Sequence, residues 1–233
     1  MIPFIANNNS KWTYGLKALG LLILSVFLTQ LLWSNVSFTE LTQISKPSTS
    51  FAYIQLGATS FTTLAFGHLM FVLSLFLFGS KQEFVMKQLT AFTFAHMVTL
   101  WLGAFNVIPV SGYVMQSLVL LSTMYIAIEN IFAFKLKKPR VTAVFIFGLI
   151  HGLAMSANLK ETALPENFFT RSLFMYNVGI ELALVCFAIP AFVILVKYAA
   201  GKPYSKIIFN IVSGALILLA GYLATKQLLV SNL

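Results

Sequence analysis

Residues 141–158 read VTAVFIFGLIHGLAMSAN, an apolar stretch with His151 slightly past its middle. It follows a basic cluster, and its length is close to the roughly 20 residues with which a helix crosses the hydrocarbon core of a bilayer. An ionisable side chain at that depth costs free energy unless it has partners, so His151 is a candidate functional residue. The next question is which groups it faces.

The chain as a whole has the composition of a helical membrane protein. Of its 233 residues, 59% are hydrophobic and 9% are charged, and the mean hydropathy is +0.89. The alternating pattern of a membrane β-barrel is absent. We therefore predict an all-α fold in which residues 1–233 form one transmembrane domain of about seven helices. Their predicted ranges are about 16–34, 52–78, 86–104, 108–132, 141–158, 170–196 and 206–229.

The net charge of +9 does not point to nucleic acid, because the 15 lysines and arginines lie between the apolar runs. There they indicate topology. With the amino terminus in the cytoplasm, most of them fall on the inside, Arg140 included, which favours an N-in, C-out orientation. The single cysteine, Cys186, excludes both a disulfide framework and a cysteine-rich metal site.

Five side chains of metal-binding type fall inside predicted helices, each on a different helix: His68, His96, His151, Glu129 and Glu181. Imidazole together with carboxylate suits transition metals such as nickel, cobalt or zinc. We therefore predict that these groups converge on a divalent metal ion. Three further polar residues are expected to orient them, namely Asn177, Asn130 and Ser122.

Each of these residues also has a simpler interpretation. A lone histidine in a membrane helix is often a hydrogen-bonded packing residue, and Glu129, near a helix end, fits a side chain that extends to the interface. Gly148 and Gly152 bracket His151 as a small-xxx-small pair, which packing between helices explains by itself.

Four ordered motifs resemble the signatures of the HupE/UreJ family of bacterial membrane proteins. They are FTFAHMVTL at 92–100, AIEN at 127–130, FGLIHGLA at 147–154 and YNVGIEL at 176–182. The resemblance covers roughly 52–200. It implies a multi-pass protein of the bacterial inner membrane that supplies nickel, or in some members cobalt. It also implies conduction or ligand roles for His96, Glu129, Asn130, His151, Asn177 and Glu181.

The sequence departs from the family pattern at several positions. The early helix of the family usually carries a His followed by Gly-x-Asp-His; here His68 is present, but Gly67 stands in place of the Asp, and Ser60 or Phe61 in place of the first His. Gln116 stands where the family has a carboxylate, and an apolar residue such as Leu184 where it often has a Gln. These changes remove negative charge from the expected cation path.

Three functions fit these observations. The first is a permease for a divalent transition metal, which is not an enzyme. The second is an intramembrane zinc-dependent hydrolase that uses the same histidines, with Glu129 or Glu181 as general base. The third is a non-catalytic helical subunit of a membrane complex. The expected partners are the lipid bilayer and the metal ion, and the sequence leaves open a membrane-protein partner or a homo-oligomer.

Overall fold

The computed structural model describes residues 50–60, 66–78, 81–132, 137–161, 168–199 and 202–230. Every regular element in these ranges is helical. The predicted first helix at 16–34 lies outside them. The described elements are α1 (Ser50–Thr59), α2 (Phe66–Phe76), α3 (Gln82–Ala104), α4 (Gly112–Phe132), α5 (Lys137–Glu161), α6 (Phe169–Ala191), a π-helix (Phe192–Ala199) that continues α6, and α7 (Ser205–Val230).

The predicted helix at 52–78 corresponds to two described helices, α1 and α2, which have different packing partners. Helix α1 packs along α6, whereas α2 packs mainly on α4. The apolar pattern did not reveal these different partners, because hydropathy marks a segment as long and apolar but does not say which helix it contacts. The other predicted ranges each match one helix, the π-helix included for 170–196, with ends that differ by a few residues.

Four stretches in the described part of the chain are long and apolar enough to cross a membrane. They are Gly112–Phe132, Pro139–Leu159, Phe169–Val196 and Ser205–Leu229. Large apolar side chains on the outside of the bundle, such as Phe94 and Leu218, are 63% and 78% exposed, which suits a surface covered by lipid. The count of about seven spans and the N-in, C-out orientation stay predictions.

The most extensive helix pair, α3 with α5, is held at close range by glycines. A Cβ atom at Gly152 would collide with the backbone oxygen of His96 and the hydroxyl of Thr99, and one at Gly148 would meet the Phe92 backbone. The Thr99 hydroxyl donates a hydrogen bond to the Leu149 carbonyl oxygen at 2.7 Å. The small-xxx-small pair is therefore a packing device that brings His96 and His151 onto adjoining backbones.

Helix α3 ends in a tight left-handed turn. Asn106 has φ 59°, and its N–H and that of Val107 donate to the Gly103 and Leu102 carbonyl oxygens. This is a Schellman motif with asparagine in the position usually taken by glycine. The turn ends α3 before the chain continues into α4.

The glycine contacts give a direct test of the α3–α5 packing. We expect Gly152→Ala to lower the free energy of unfolding by about 1–3 kcal/mol, the usual cost of overpacking a close interface. The matched control is Gly214→Ala on α7, where an added Cβ meets nothing within 4 Å. The midpoint of thermal unfolding in detergent measures both. Equal midpoints for the two variants would contradict the proposed close packing.

Candidate functional site: a buried histidine cluster

Three imidazoles from three helices meet in the interior of the bundle. The ring centroids of His68 and His151 are 4.4 Å apart, and those of His68 and His96 are 6.1 Å apart. All three side chains are buried, with exposed fractions of 0%, 2% and 0% for His68, His96 and His151. The structure thus brings together the three histidines that the sequence singled out. We call them the histidine cluster.

Hydrogen bonds fix the orientation of two of the rings. His68 Nε2 lies 3.1 Å from the carbonyl oxygen of His151 and must donate to it, because a carbonyl oxygen only accepts. The Ser122 hydroxyl donates to the Val119 carbonyl oxygen at 2.7 Å, so its oxygen accepts from His151 Nε2 at 2.9 Å. Both rings therefore carry their proton on Nε2, and their Nδ1 atoms keep a lone pair.

Two ring nitrogens of the cluster have no hydrogen-bond partner among the described residues: His151 Nδ1 and His96 Nε2, both buried. A neutral imidazole nitrogen with a lone pair is a common metal ligand. In the arrangement described, however, no group of three His, Cys, Asp or Glu side chains is placed to hold one metal ion. To ligate a common ion, the rings would have to turn from their present edge-to-face packing.

Two phenylalanines cover one side of the cluster. The Phe71 ring lies 4.5 Å from the His151 ring, and the Phe92 ring packs 5.2 Å from His151 and 5.8 Å from His96. Phe71 and Phe92 stack on each other at 5.2 Å, and both are buried. They form an apolar layer that seals this side of the histidines.

A second buried polar group lies beyond that layer, centred on Arg140. Its guanidinium donates to Gln88 Oε1 at 2.7 Å, to Glu129 Oε2 at 2.8 Å and to Asn130 Oδ1 at 2.9 Å. Asn130 in turn donates to the Ser74 carbonyl oxygen at 2.8 Å. Arg140 is only 1% exposed. We call Arg140, Gln88, Glu129 and Asn130 the arginine network.

Helix spacing places the arginine network and the histidine cluster at different depths. On α3, Gln88, Phe92 and His96 follow one another at intervals of four residues, so they share a face and span about 12 Å. On α4, Ser122 precedes Glu129 by seven residues, or about 10 Å. These buried side chains therefore form three successive layers: the histidine cluster, the two phenylalanines and the arginine network. We call the three layers together the buried column.

One prediction and one of the simpler interpretations need correction in this region. Arg140 was counted among the topology cations outside the helices, but it is buried inside α5 and paired with a carboxylate. Glu129 does not extend to an interface; it is 6% exposed and bound to Arg140. In both cases a long side chain found a partner of opposite charge on a neighbouring helix.

Glu181 lies apart from the histidines, on the other side of α3. It lines a largely apolar cavity of about 550 Å³ between α3 and the α6 segment, together with Thr90, Thr93 and Met97. These α3 residues point away from the face that carries Phe92 and His96. Glu181 Oε1 is buried and has no hydrogen-bond partner among the described residues.

Of the three residues expected to orient the ligands, only Ser122 contacts a histidine directly. Asn130 belongs to the arginine network. Asn177 is 4% exposed, and its Oδ1 lacks a hydrogen-bond partner among the described residues. Phe71, Phe92 and Gln88 were not among the site residues predicted from the sequence. The signal that could have found Phe92 and Gln88 is their four-residue spacing from His96.

The departures from the family pattern also have local explanations. A side chain at Gly67 would press against Val119 and Leu120 of α4, so the structure leaves little room there for an aspartate. Gln116 donates to Asn158 Oδ1 at 3.2 Å, joining α4 to α5 by a neutral pair. Close packing at Gly67 and an amide hydrogen bond at Gln116 thus occupy the two positions where the resemblance led us to expect carboxylates.

These features define a class: a helical membrane protein whose interior carries a cluster of histidines drawn from separate helices. Comparison with known families narrows the class. A sequence model described as HupE / UreJ protein matches residues 20–227, and the chain belongs to that family. Searches of curated proteins and of solved structures found no match.

The hydrogen bond from His151 to Ser122 gives a prediction about stability. We expect Ser122→Ala to lower the free energy of unfolding by about 1–3 kcal/mol, because it leaves the buried His151 Nε2–H without an acceptor. The control is Ser117→Ala, since the Ser117 hydroxyl donates only within its own helix, to the Tyr113 carbonyl oxygen. Chemical denaturation in detergent compares the two. A loss no greater than that of Ser117→Ala would count against this bond.

Proposed function

We propose that the protein carries a divalent transition metal ion of the nickel or cobalt type across the membrane. The ion binds transiently at the imidazoles of His68, His96 and His151. The HupE/UreJ family is a family of membrane metal transporters, and the chain's membership supports this function. The observation that carries the proposal is the meeting of three buried imidazoles from three helices, with ring centroids 4.4 and 6.1 Å apart.

The chemistry of the cluster agrees with this choice of ion. Imidazole nitrogens suit nickel, cobalt and zinc, whereas calcium and magnesium prefer shells made only of oxygen. His151 Nδ1 and His96 Nε2 are available as metal ligands, because neither has a hydrogen-bond partner among the described residues.

The cluster is also suited to a short stay of the ion. Conduction requires a site that is favourable enough to enter and weak enough to leave. His68 Nε2 and His151 Nε2 are both engaged in hydrogen bonds. An ion that binds all three rings must break these hydrogen bonds or the ring packing. This cost lowers the net affinity for the ion and eases its release.

The two carboxylates act at separate places in this proposal. Glu129, inside the arginine network, is the carboxylate on the far side of the phenylalanine layer. Glu181, in the cavity beside α3, is a carboxylate without a protein partner among the described residues. It attracts a cation to the flank of the bundle, and Asn177, four residues earlier on α6, lies within one turn of it.

Metal uptake into proteoliposomes tests the proposed function. We expect His96→Ala and His151→Ala each to lower the uptake of radioactive nickel or cobalt by at least about tenfold, since each removes a ligand. Thr225→Ala on the exposed side of α7 serves as the control. Uptake that is unchanged in both histidine variants would refute a role for the cluster.

Elemental analysis of the purified protein separates the alternatives. Zinc that stays bound in a 1:1 ratio through dialysis would favour the metal-dependent hydrolase. Exchangeable nickel or cobalt, lost on dialysis, is the expected result for the permease. Absence of any metal, together with a protein that co-purifies in fixed ratio, would favour the helical subunit.

A second variant tests the carboxylate in the cavity. We expect Glu181→Gln to slow metal uptake severalfold, because it removes the negative charge that attracts the cation, and to leave the protein folded. The matched control is Glu83→Gln, since Glu83 is an exposed carboxylate in the first turn of α3. The initial uptake rate at low metal concentration is the measurement. Equal rates for the two variants would exclude Glu181 from the path.

A further inference from the structure

The arginine network has the composition of a cation site that the chain itself fills. Three oxygen atoms on two helices, from Gln88, Glu129 and Asn130, point at one guanidinium. The Phe78 ring packs 4.3 Å from the Arg140 Cζ atom and closes another side. Carboxylate and amide oxygens of this kind are also ligands for divalent cations.

The network fixes several helices at once. Arg140 belongs to α5, Gln88 to α3, and Glu129 and Asn130 to α4. Asn130 extends the contacts to the Ser74 carbonyl oxygen of α2 and, at 3.5 Å, to the Ser213 hydroxyl of α7. The guanidinium therefore lies where these helices come together, and it fills the end of the buried column.

We propose that Arg140 is a tethered cation that blocks this end of the column: it occupies the oxygen atoms of Gln88, Glu129 and Asn130 and must withdraw before a metal ion can pass. This inference rests on the proposed function, because it assigns to Arg140 a positioning role in the movement of the ion. Arg140 itself binds no metal. It acts by holding the carboxylate that the metal would use.

Electrostatics makes the two cations exclude each other. The Glu129 carboxylate carries one negative charge, which Arg140 compensates at 2.8 Å. A divalent ion at the same oxygen atoms would lie within a few ångströms of the guanidinium, and like charges repel strongly in a buried site. The arrival of the metal thus favours displacement of Arg140, and departure of the metal lets Arg140 return.

Thiol accessibility tests the block independently of transport. In a Cys186→Ser background, which removes the single native cysteine, Phe92→Cys places a thiol one turn from Gln88 and opens the phenylalanine layer, so that the arginine network is the barrier tested. A membrane-impermeant thiol reagent is added to oriented vesicles from the side of Arg140. We expect Arg140→Gln to raise the labelling rate by about fivefold or more, a typical size for coupled equilibria.

The matched control is Arg171→Gln, which removes an equal charge from an exposed arginine bonded to Ser50 Oγ. The double variant Glu129→Gln with Arg140→Gln restores neutrality, and Arg140→Lys keeps the charge, so the test survives if Arg140→Gln does not fold. We expect faster labelling in the double variant and an intermediate rate in Arg140→Lys. Labelling at the parent rate in the folded variants would overturn the proposal.

Nickel chloride then tests the claim that a metal ion uses the same oxygen atoms. In Arg140→Gln, nickel should slow the labelling, and in the double variant this protection should disappear because Glu129 has lost its charge. Protection of equal size in both variants would overturn the shared site. If His96→Ala and His151→Ala take up nickel as fast as the unaltered protein, the proposed function fails. The labelling data still decide whether Arg140 blocks the column.

Discussion

Polar side chains within a bilayer must satisfy one another, because the hydrocarbon offers no hydrogen-bond partners. The arginine network and Ser122 meet that constraint, whereas His151 Nδ1, His96 Nε2, Asn177 Oδ1 and Glu181 Oε1 have no hydrogen-bond partner among the described residues. The Arg140 guanidinium is matched by three oxygen acceptors, and the Ser122 hydroxyl both donates to its own helix and accepts from His151. Four of these contacts join side chains on different helices, so they tie α3, α4 and α5 together.

The same constraint separates the polar groups into layers. A histidine cluster without charged partners and a network with one cation and one carboxylate would interact if they lay side by side. The stacked rings of Phe71 and Phe92 keep them apart. The close approach of α3 and α5 at Gly148 and Gly152 makes this layering possible, because it sets the backbone of one helix directly against the other.

The sequence predicted much of this arrangement, and its failures have physical causes. Apolar length predicted the helices, and the rarity of histidine at membrane depth singled out His68, His96 and His151, which do meet. The sequence did not predict where the carboxylates lie. Helix periodicity gives the face on which a residue lies, but not the neighbouring helix that this face contacts. His96 is itself an α3 residue, whereas Glu181 faces a cavity that borders a different face of α3. Arg140 was misassigned because a cation at the end of an apolar run usually marks a loop.

The stacked phenylalanines have one more consequence. A chain of hydrogen-bonding groups can relay protons by successive hops only if it is continuous, and between His151 and Arg140 it is interrupted by two aromatic rings that neither donate nor accept in the ring plane. In the described column, the stacked Phe71 and Phe92 rings place an apolar stretch between the histidine cluster and the arginine network.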